Sequence, residues 1–191
     1  MEIFLTTANS DFPRAPSAPG APGTSAATAA TAATLCTQLA GVLLRGQLKL
    51  AAAESCTGGL IAVACTDLSG SSAWFDRGFV SYSNSAKTDM LGVDAGLIER
   101  HGAVSEEVAR AMAYGAVARS RAQIAVAVTG VAGPTGGSKD KPVGTVWFGW
   151  NISGQLYSEV QHFDGDRAAV RAATVRHALR QLLKHLSNGG G

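Results

Sequence analysis

The chain has 191 residues, of which 46% are hydrophobic and 16% are charged, and its formal net charge is +2. This length fits one domain with a tail and leaves no room for a second catalytic domain. The small and interspersed charge argues against a surface that binds nucleic acid or a membrane, so we expect neither partner. No apolar run approaches the roughly 18 residues of a transmembrane helix.

The first 30 residues differ in composition from the rest of the chain. Four of the six prolines lie between Pro13 and Pro22, and residues 24–34 are only Ala, Thr and Ser. Because such a segment has no large side chain to bury, residues 1–30 are predicted to be a disordered leader. Glu2 stands where a signal peptide carries positive charge, which excludes that alternative. We expect one domain over residues 31–187 and a flexible tail over residues 188–191.

The cysteines and histidines argue against a metal centre. Cys36, Cys56 and Cys65 form no CxxC pair, and the four histidines show no metal-ligand spacing. An odd number of unpaired cysteines also argues against a disulfide framework, and reduced thiols are typical of a cytoplasmic protein. We therefore expect a cytoplasmic protein without a bound metal.

Hydrophobic periodicity predicts alternating helices and strands along the first half of the domain. The predicted elements are a helix at 35–46, a strand at 48–53, a helix at 60–68, a strand at 78–83, short helices at 85–91 and 94–101, and a helix at 106–120. Ser105 is expected to cap the last of these helices, whose acidic residues suit a helix N-terminus.

The second half of the domain begins with the apolar segment 124–128, whose continuous burial is typical of a central strand. It is followed by a glycine-rich loop at 130–144, by strands at 145–152 and 156–163 with a hairpin turn at Ser153 and Gly154, and by a last helix at 166–186. This order predicts an α/β fold, a single-domain three-layer α/β/α sandwich with a mixed sheet.

The segment Glu54-Ser55-Cys56-Thr57-Gly58-Gly59 is the first candidate site, at a strand-to-helix turn. Backbone N–H groups at a helix start can form an oxyanion hole, and a hydroxyl there can act as a nucleophile. The segment is neither a P-loop nor a GxSxG elbow. From the turn alone, Ser55 is equally well explained as a helix cap. Cys56 is a rival nucleophile if the turn lowers its pKa.

Lys87 is the second candidate, because it follows a predicted buried strand. Burial lowers the pKa of a lysine, and a neutral lysine can serve as the base in a Ser–Lys pair. The alternative is that Lys87 lies on an exposed helix face beside Asp89 and has no chemical role.

Two further segments are candidates for binding an anionic or polar ligand. The glycine-rich loop begins directly after the central strand, at the strand end where ligands collect in open α/β sheets. Arg167 and Arg171 lie four residues apart at the start of the last helix, where they are unfavourable unless an anion is near. Asp164 and Asp166 could equally neutralise them.

Six segments of the chain, taken together, resemble one known family. They are AESCTGG at 53–59, the segment at 69–87 that ends in SYSNSAK, LGV at 91–93, HGAVSEEV at 101–108, TGVAGPTGGSKDKPVGTVWF at 129–148 and FDGDR at 163–167. In this order and spacing they resemble the CinA-type C-terminal domain over about residues 35–187.

The resemblance implies a domain that deamidates nicotinamide mononucleotide to nicotinic acid mononucleotide and ammonia, in pyridine nucleotide salvage, without metal or cofactor. It also suggests a homodimer. The family's serine nucleophile matches Ser55, its tyrosine and lysine match Tyr82 and Lys87, and its threonine after the central strand matches Thr129. A second hypothesis is a non-catalytic nucleotide-binding module linked to competence or damage responses.

The resemblance and the turn together predict how the substrate is held. Backbone N–H groups at residues 58–60 and the Thr129 hydroxyl are expected to stabilise the oxyanion, and Tyr82 to help hold Lys87. The loop at 133–138 and Arg167 are expected to bind the phosphate. The full set of expected substrate-binding residues is Thr57, Gly58, Thr129, Gly130, Gly133, Gly136, Gly137, Ser138 and Arg167.

Overall fold

The computed structural model describes residues 30–188. Nearly all of the predicted leader and tail lie outside these described residues. The elements, in chain order, are α1 (Ala32–Arg45), β1 (Leu50–Glu54), α2 (Leu60–Thr66), β2 (Phe75–Val80), α3 (Asn84–Leu91), α4 (Ala95–His101), α5 (Glu106–Ala118), β3 (Ile124–Gly130), β4 (Thr145–Ile152), β5 (Gln155–His162) and α6 (Arg167–Asn188).

The five strands form one mixed sheet in the order β2-β1-β3-β4-β5. Strand β1 runs parallel to β2 and β3, whereas β4 runs antiparallel to β3 and β5. The predicted mixed sheet and the central position of the 124–128 strand are thus confirmed. The hairpin turn also lies where expected, with both Ser153 and Gly154 at positive φ, as a tight two-residue hairpin requires.

Helices cover both faces of the sheet, which confirms the predicted three layers. One core packs α1, α2 and α6 against the sheet, and Leu39, Val126 and Leu179 are fully buried there. The other core packs α3, α4 and α5 against the opposite face, around Met112 and Ala125. Side chains of β1 and β3 alternate between the two cores, because successive residues of a strand point to opposite faces.

Small residues let α5 lie close to the sheet. Ala51, Ala53 and Ala125 fill the face that α5 covers. On β4, a Cβ at Gly149 would overlap the backbone carbonyl of Ala109 on α5. A larger residue at position 149 would therefore push the helix away from the sheet, which costs packing energy.

Two elements, α1 and β2, have boundaries that differ from the prediction by three residues, whereas the other elements agree to within two residues. Helix α1 begins earlier, at Ala32, because the Thr31 side chain accepts a hydrogen bond from the N–H of Thr34 and caps the helix. Strand β2 ends at Val80 instead of residue 83 and begins earlier, at Phe75. It is an edge strand with exposed polar positions, so its start lacks the continuous apolar pattern of a buried strand.

The arrangement of the parallel strands prepares a site at one edge of the sheet. Ser55 follows the carboxyl end of β1, Ser81 follows that of β2, and Thr129 lies near that of β3. In open α/β sheets this edge is where ligands bind. No helix within residues 30–188 has both the length and the apolar character needed to cross a membrane.

Candidate active site

Ser55 and Lys87 meet at the carboxyl edge of the sheet. The Lys87 Nζ lies 3.0 Å from the Ser55 Oγ, and both side chains are buried. Ser55 follows β1, and Lys87 lies in the middle of α3, whose first turn is capped by the Ser83 hydroxyl. The alternative hypothesis, that Lys87 lies on an exposed helix face, is wrong, because Lys87 is only 1% exposed.

The environment of Lys87 favours its neutral form. Burial lowers the pKa of the Lys87 ammonium, because the charged form loses its hydration. None of the ion pairs within residues 30–188 involves Lys87. Its Nζ also donates to the Ser81 carbonyl at 2.9 Å. That second hydrogen bond fixes the amine so that its lone pair, when neutral, can face the Ser55 hydroxyl.

Cys56 is not the activated thiol that the turn suggested. Burial raises the pKa of the Cys56 thiol to about 11, an effect that outweighs the lowering by nearby backbone N–H groups. A thiol with this pKa is almost wholly protonated near neutral pH, and the thiolate is the reactive form. The lowered pKa on which the hypothesis of Cys56 as a rival nucleophile depended is therefore contradicted.

Glu54 occupies the N-terminus of α2. Its carboxylate is fully buried and accepts four hydrogen bonds, one from a hydroxyl and three from backbone N–H groups. Oε2 accepts from the Thr57 hydroxyl at 2.6 Å and from the N–H groups of Gly59 and Ile61, each at 3.0 Å. Oε1 accepts from the N–H of Ala62 at 2.8 Å. Glu54 belongs to the predicted turn segment, but no role was expected for its side chain.

The predicted oxyanion donors at residues 58–60 are thus already used. The N–H of Gly58 donates to the Ser55 carbonyl at 3.1 Å, that of Gly59 to Glu54, and that of Leu60 to the Thr57 carbonyl at 3.4 Å. Thr57 is buried against Glu54, and neither it nor Gly58 lines the cavity beside Ser55. Gly58 and Gly59 instead serve the turn, since both have positive φ.

Thr129 lines the cavity, but its hydroxyl hydrogen is also engaged. The Thr129 Oγ1 donates to the Ala103 carbonyl at 2.7 Å. The predicted role of this hydroxyl as a donor to the oxyanion therefore has no support from its hydrogen bond in this structure. Its oxygen remains able to accept a hydrogen bond, and the contact fixes the loop before α5 against β3.

Arg167 connects three parts of the chain at the mouth of the site. Its Nη2 donates to the Tyr82 hydroxyl at 2.8 Å, and its Nη1 donates to the Gly133 carbonyl at 2.9 Å. Tyr82 is more than half exposed, and its hydroxyl bonds to Arg167 and not to Lys87. The predicted role of Tyr82 in holding Lys87 is therefore not found, because the Lys87 amine donates to the Ser81 carbonyl instead.

Arg171 makes a structural contact away from the cavity, unlike Arg167. Its Nη2 donates to the Thr57 carbonyl at 2.6 Å, which ties α6 to the nucleophile turn. Asp166 caps the start of α6 through the N–H of Ala169, and within residues 30–188 neither Asp164 nor Asp166 pairs with an arginine. The idea that the two arginines form one anion clamp is therefore wrong, and only Arg167 faces the cavity.

These groups surround one cavity of about 210 Å³. It is lined by Ser55, Cys56, Tyr82, Asn84, Lys87, Ala103, Val104, Thr129, Gly130, Ala132 and Arg167. Gly136, Gly137 and Ser138 lie outside this lining on the exposed part of the loop, where the Ser138 Oγ accepts from the N–H of Lys141 at 3.1 Å. Four lining residues were not expected, although each lies in a segment that carries the family resemblance: Asn84, Ala103, Val104 and Ala132.

The described chain offers no cluster for a metal. Among residues 30–188, no three His, Cys, Asp or Glu side chains come together in a way that could hold a metal ion. A larger groove of about 640 Å³ lies between the start of α1, α2 and α6, and none of the predicted catalytic residues lines it.

Comparisons with known proteins identify the family of the chain. Residues 32–186 match the model of the CinA C-terminal domain family. The nicotinamide-nucleotide amidohydrolase PncC of Pseudomonas putida is 55% identical over 150 residues, which are 78% of this chain and 94% of that protein. The protein of the same name from Enterobacter agglomerans is 54% identical over 138 residues, covering 70% of this chain and 84% of that one.

A solved structure shows the same fold. The competence damage-inducible protein A of Klebsiella pneumoniae superimposes with a TM-score of 0.81 at 39% identity, covering 84% of this chain and 99% of that chain. The family model covers most of the chain, and the relatives are more than half identical. The chain therefore belongs to the CinA C-terminal domain family.

Proposed function

We propose that the chain hydrolyses the carboxamide of nicotinamide mononucleotide to nicotinic acid mononucleotide and ammonia, a reaction of pyridine nucleotide salvage. The relatives named nicotinamide-nucleotide amidohydrolase support the substrate. The observation that carries the chemistry is the 3.0 Å hydrogen bond between the Lys87 Nζ and the Ser55 Oγ in a buried site. A serine beside a lysine of lowered pKa is an activated nucleophile.

The first half of the reaction forms an acyl-enzyme. Neutral Lys87 takes the proton of the Ser55 hydroxyl, and the serine oxygen bonds to the carboxamide carbon, whose carbonyl oxygen becomes an oxyanion. Protonated Lys87 then gives its proton to the amide nitrogen. The carbon–nitrogen bond breaks, ammonia leaves, and the nicotinoyl group stays as an ester on Ser55.

The second half hydrolyses this ester. Lys87, neutral again, takes a proton from a water molecule, and the resulting hydroxide attacks the ester carbon. Collapse of the second tetrahedral intermediate releases nicotinic acid mononucleotide, and Lys87 returns the proton to the Ser55 oxygen. The Ser81 carbonyl, 2.9 Å from the Lys87 Nζ, holds the amine in place through both halves.

The shape of the cavity supports a mode of substrate binding. Its volume of about 210 Å³ is below the roughly 300–1,000 Å³ of typical ligand pockets. We infer that the pyridine ring and its carboxamide enter the cavity between the apolar side chains of Ala103, Val104 and Ala132. The ribose and phosphate then lie at the mouth, where the Arg167 guanidinium and the nearby glycine-rich loop bind the phosphate.

An ammonia-release assay tests the proposal. Purified protein is incubated with nicotinamide mononucleotide, its nucleoside and the dinucleotide, and binding of each is measured in parallel by calorimetry. We expect ammonia from the mononucleotide at a rate that depends on Ser55. Binding of the mononucleotide without turnover would instead favour the non-catalytic nucleotide-binding module.

We further propose that the protein acts as a homodimer, as the family resemblance implies, and that it lies in the cytoplasm, as its unpaired cysteines suggest. Light scattering on the purified full chain measures the mass in solution. A mass of about 39 kDa, twice the 19.5 kDa of one chain, is expected. A mass equal to one chain would contradict the dimer.

A further inference from the structure

We propose that Glu54 is a positioning residue for the nucleophile, and that the oxyanion is stabilised by the backbone N–H of Cys56. In this arrangement the Glu54 carboxylate takes up the N–H groups at the start of α2 and holds the turn that carries Ser55. The inference rests on the proposed amide hydrolysis and assigns two further groups of the same site.

The strand geometry gives Glu54 and Ser55 different partners. Ala52 belongs to the core on the α2 side of the sheet, and Ala53 belongs to the core on the α3 side. By the same alternation, Glu54 faces α2 and Ser55 faces α3, where Lys87 lies. Adjacent residues thus anchor the turn on one face and present the nucleophile on the other.

Glu54 provides the capping that the helix itself lacks. Residue Gly59 precedes α2 and has no side chain to cap it. The Glu54 carboxylate instead bonds the N–H groups of Gly59, Ile61 and Ala62 and the Thr57 hydroxyl. A buried carboxylate without partners is strongly unfavourable, so this complete set of donors keeps the side chain in one position. The path of residues 55–59 is fixed with it.

The same hydrogen bonds decide which backbone donor is left for the oxyanion. The N–H groups of residues 58–62 that could face a ligand are occupied by Glu54 or by backbone carbonyls. By contrast, the N–H groups of Cys56 and Thr57 donate to no oxygen of another residue between 30 and 188. Of these two residues, only Cys56 lines the cavity beside Ser55, and it directly follows the nucleophile. A donor at that position lies close to the oxygen of the tetrahedral intermediate.

The substitution Glu54→Gln tests the positioning role with little change in size. The amide nitrogen cannot accept a hydrogen bond, so one of the N–H groups now bonded to Glu54 loses its acceptor and the turn shifts. We expect kcat for nicotinamide mononucleotide to fall about 100-fold, the size of loss that follows a misplacement of roughly 1 Å. Glu99→Gln, a change of the same kind at an exposed position on α4, is the control and should keep the wild-type kcat.

Three readouts separate positioning from a general loss of structure. In Glu54→Gln we expect KM and the calorimetric affinity for nicotinic acid mononucleotide to stay within about threefold of wild type. The pH at which kcat/KM levels off should be unchanged, because Lys87 is untouched. If Glu54 had a merely structural role, Glu54→Gln would lose product binding together with kcat, and that result would overturn the inference. A folded Glu54→Gln with wild-type kcat would overturn it as well.

A second pair of variants keeps the test valid if Glu54→Gln does not fold. Thr57→Val removes one of the four donors to Glu54, and Thr57→Ser retains it. We expect kcat to fall about tenfold in Thr57→Val and to recover in Thr57→Ser. Equal kcat in Thr57→Val and Thr57→Ser would overturn the inference about Glu54. The proposed function would still stand in that case, provided that the wild-type protein releases ammonia. A wild-type protein that releases no ammonia would overturn both.

Discussion

The Lys87 amine hydrogen-bonds to the Ser55 hydroxyl across 32 residues of sequence, at 3.0 Å in a buried site. The two residues come from different elements, the turn after β1 and the middle of α3. Their contact joins a nucleophile to a base whose pKa is lowered by burial. The first three predictions follow from this pair.

Ser55→Ala should abolish turnover while leaving the fold intact. Loss of the nucleophile in serine hydrolases costs about a million-fold in kcat, so a loss of at least about 10,000-fold is expected here. Ammonia release from nicotinamide mononucleotide measures the rate, and circular dichroism checks the fold. Ser72→Ala, at an exposed position, is the matched control. Near wild-type ammonia release from Ser55→Ala would exclude Ser55 as the nucleophile.

The pH dependence of kcat/KM should report the titration of Lys87. Because burial lowers the pKa of Lys87, the reactive neutral form is gained as pH rises through that lowered pKa. We expect kcat/KM to rise along a limb set by one deprotonation of the free enzyme and then to level off. Lys87→Arg should remove this limb and nearly all activity, since arginine keeps its proton. An active Lys87→Arg with the wild-type profile would show that Lys87 is not the base.

The free energy of unfolding should also depend on the titration of Lys87. Because the pKa of Lys87 is lower in the folded chain than its ordinary 10.5, the unfolded chain binds more protons between these two values. The unfolding free energy contributed by Lys87 therefore rises with pH in this window, by about 1.4 kcal/mol for each unit of lowering.

Melting temperatures of Lys87→Met measure that contribution. The variant lacks the titrating group, so its Tm minus that of wild type should decrease as pH is raised from about 7 to about 10. A change of 1 kcal/mol corresponds to roughly 2–4 °C for a chain of this size. Lys184→Met, at an exposed position on α6, should show no such trend. A constant difference for Lys87→Met would mean that burial does not lower the pKa.

Arg167 should discriminate between substrates with and without a phosphate. A charge-assisted hydrogen bond contributes about 1.5–3 kcal/mol, so Arg167→Met should raise KM for nicotinamide mononucleotide about 10- to 100-fold. KM for the nucleoside should change little. Tyr82→Phe, which removes only the hydroxyl that accepts from Arg167, separates loss of that contact from loss of the charge. Equal losses for both substrates in Arg167→Met would point to a structural role.

Much of the fold was predictable because its signals are local. The apolar segment that became β3, the hairpin turn at Ser153 and Gly154, and the cap at Ser105 each depend on residues a few positions apart. The motifs around Ser55, Lys87 and Arg167 likewise identified the family from the sequence. The β2 boundaries were less accurate, because an edge strand that exposes polar side chains lacks a strong hydrophobic pattern.

The sequence alone thus determined the order of elements, the fold class, the family and the nucleophile and base candidates. The tertiary structure decided which groups are free to act. The Glu54 carboxylate accepts hydrogen bonds from the N–H groups at the start of α2. Two further contacts join residues far apart in sequence: Arg171 donates to the Thr57 carbonyl, 114 residues away, and Arg167 donates to the Tyr82 hydroxyl, 85 residues away. The hydrogen bond from Lys87 to the Ser81 carbonyl also leaves no mark in the sequence, because every residue carries a carbonyl. The sequence suggested that Lys87 could be buried, but left an exposed helix face as the alternative, because burial depends on neighbours from distant segments.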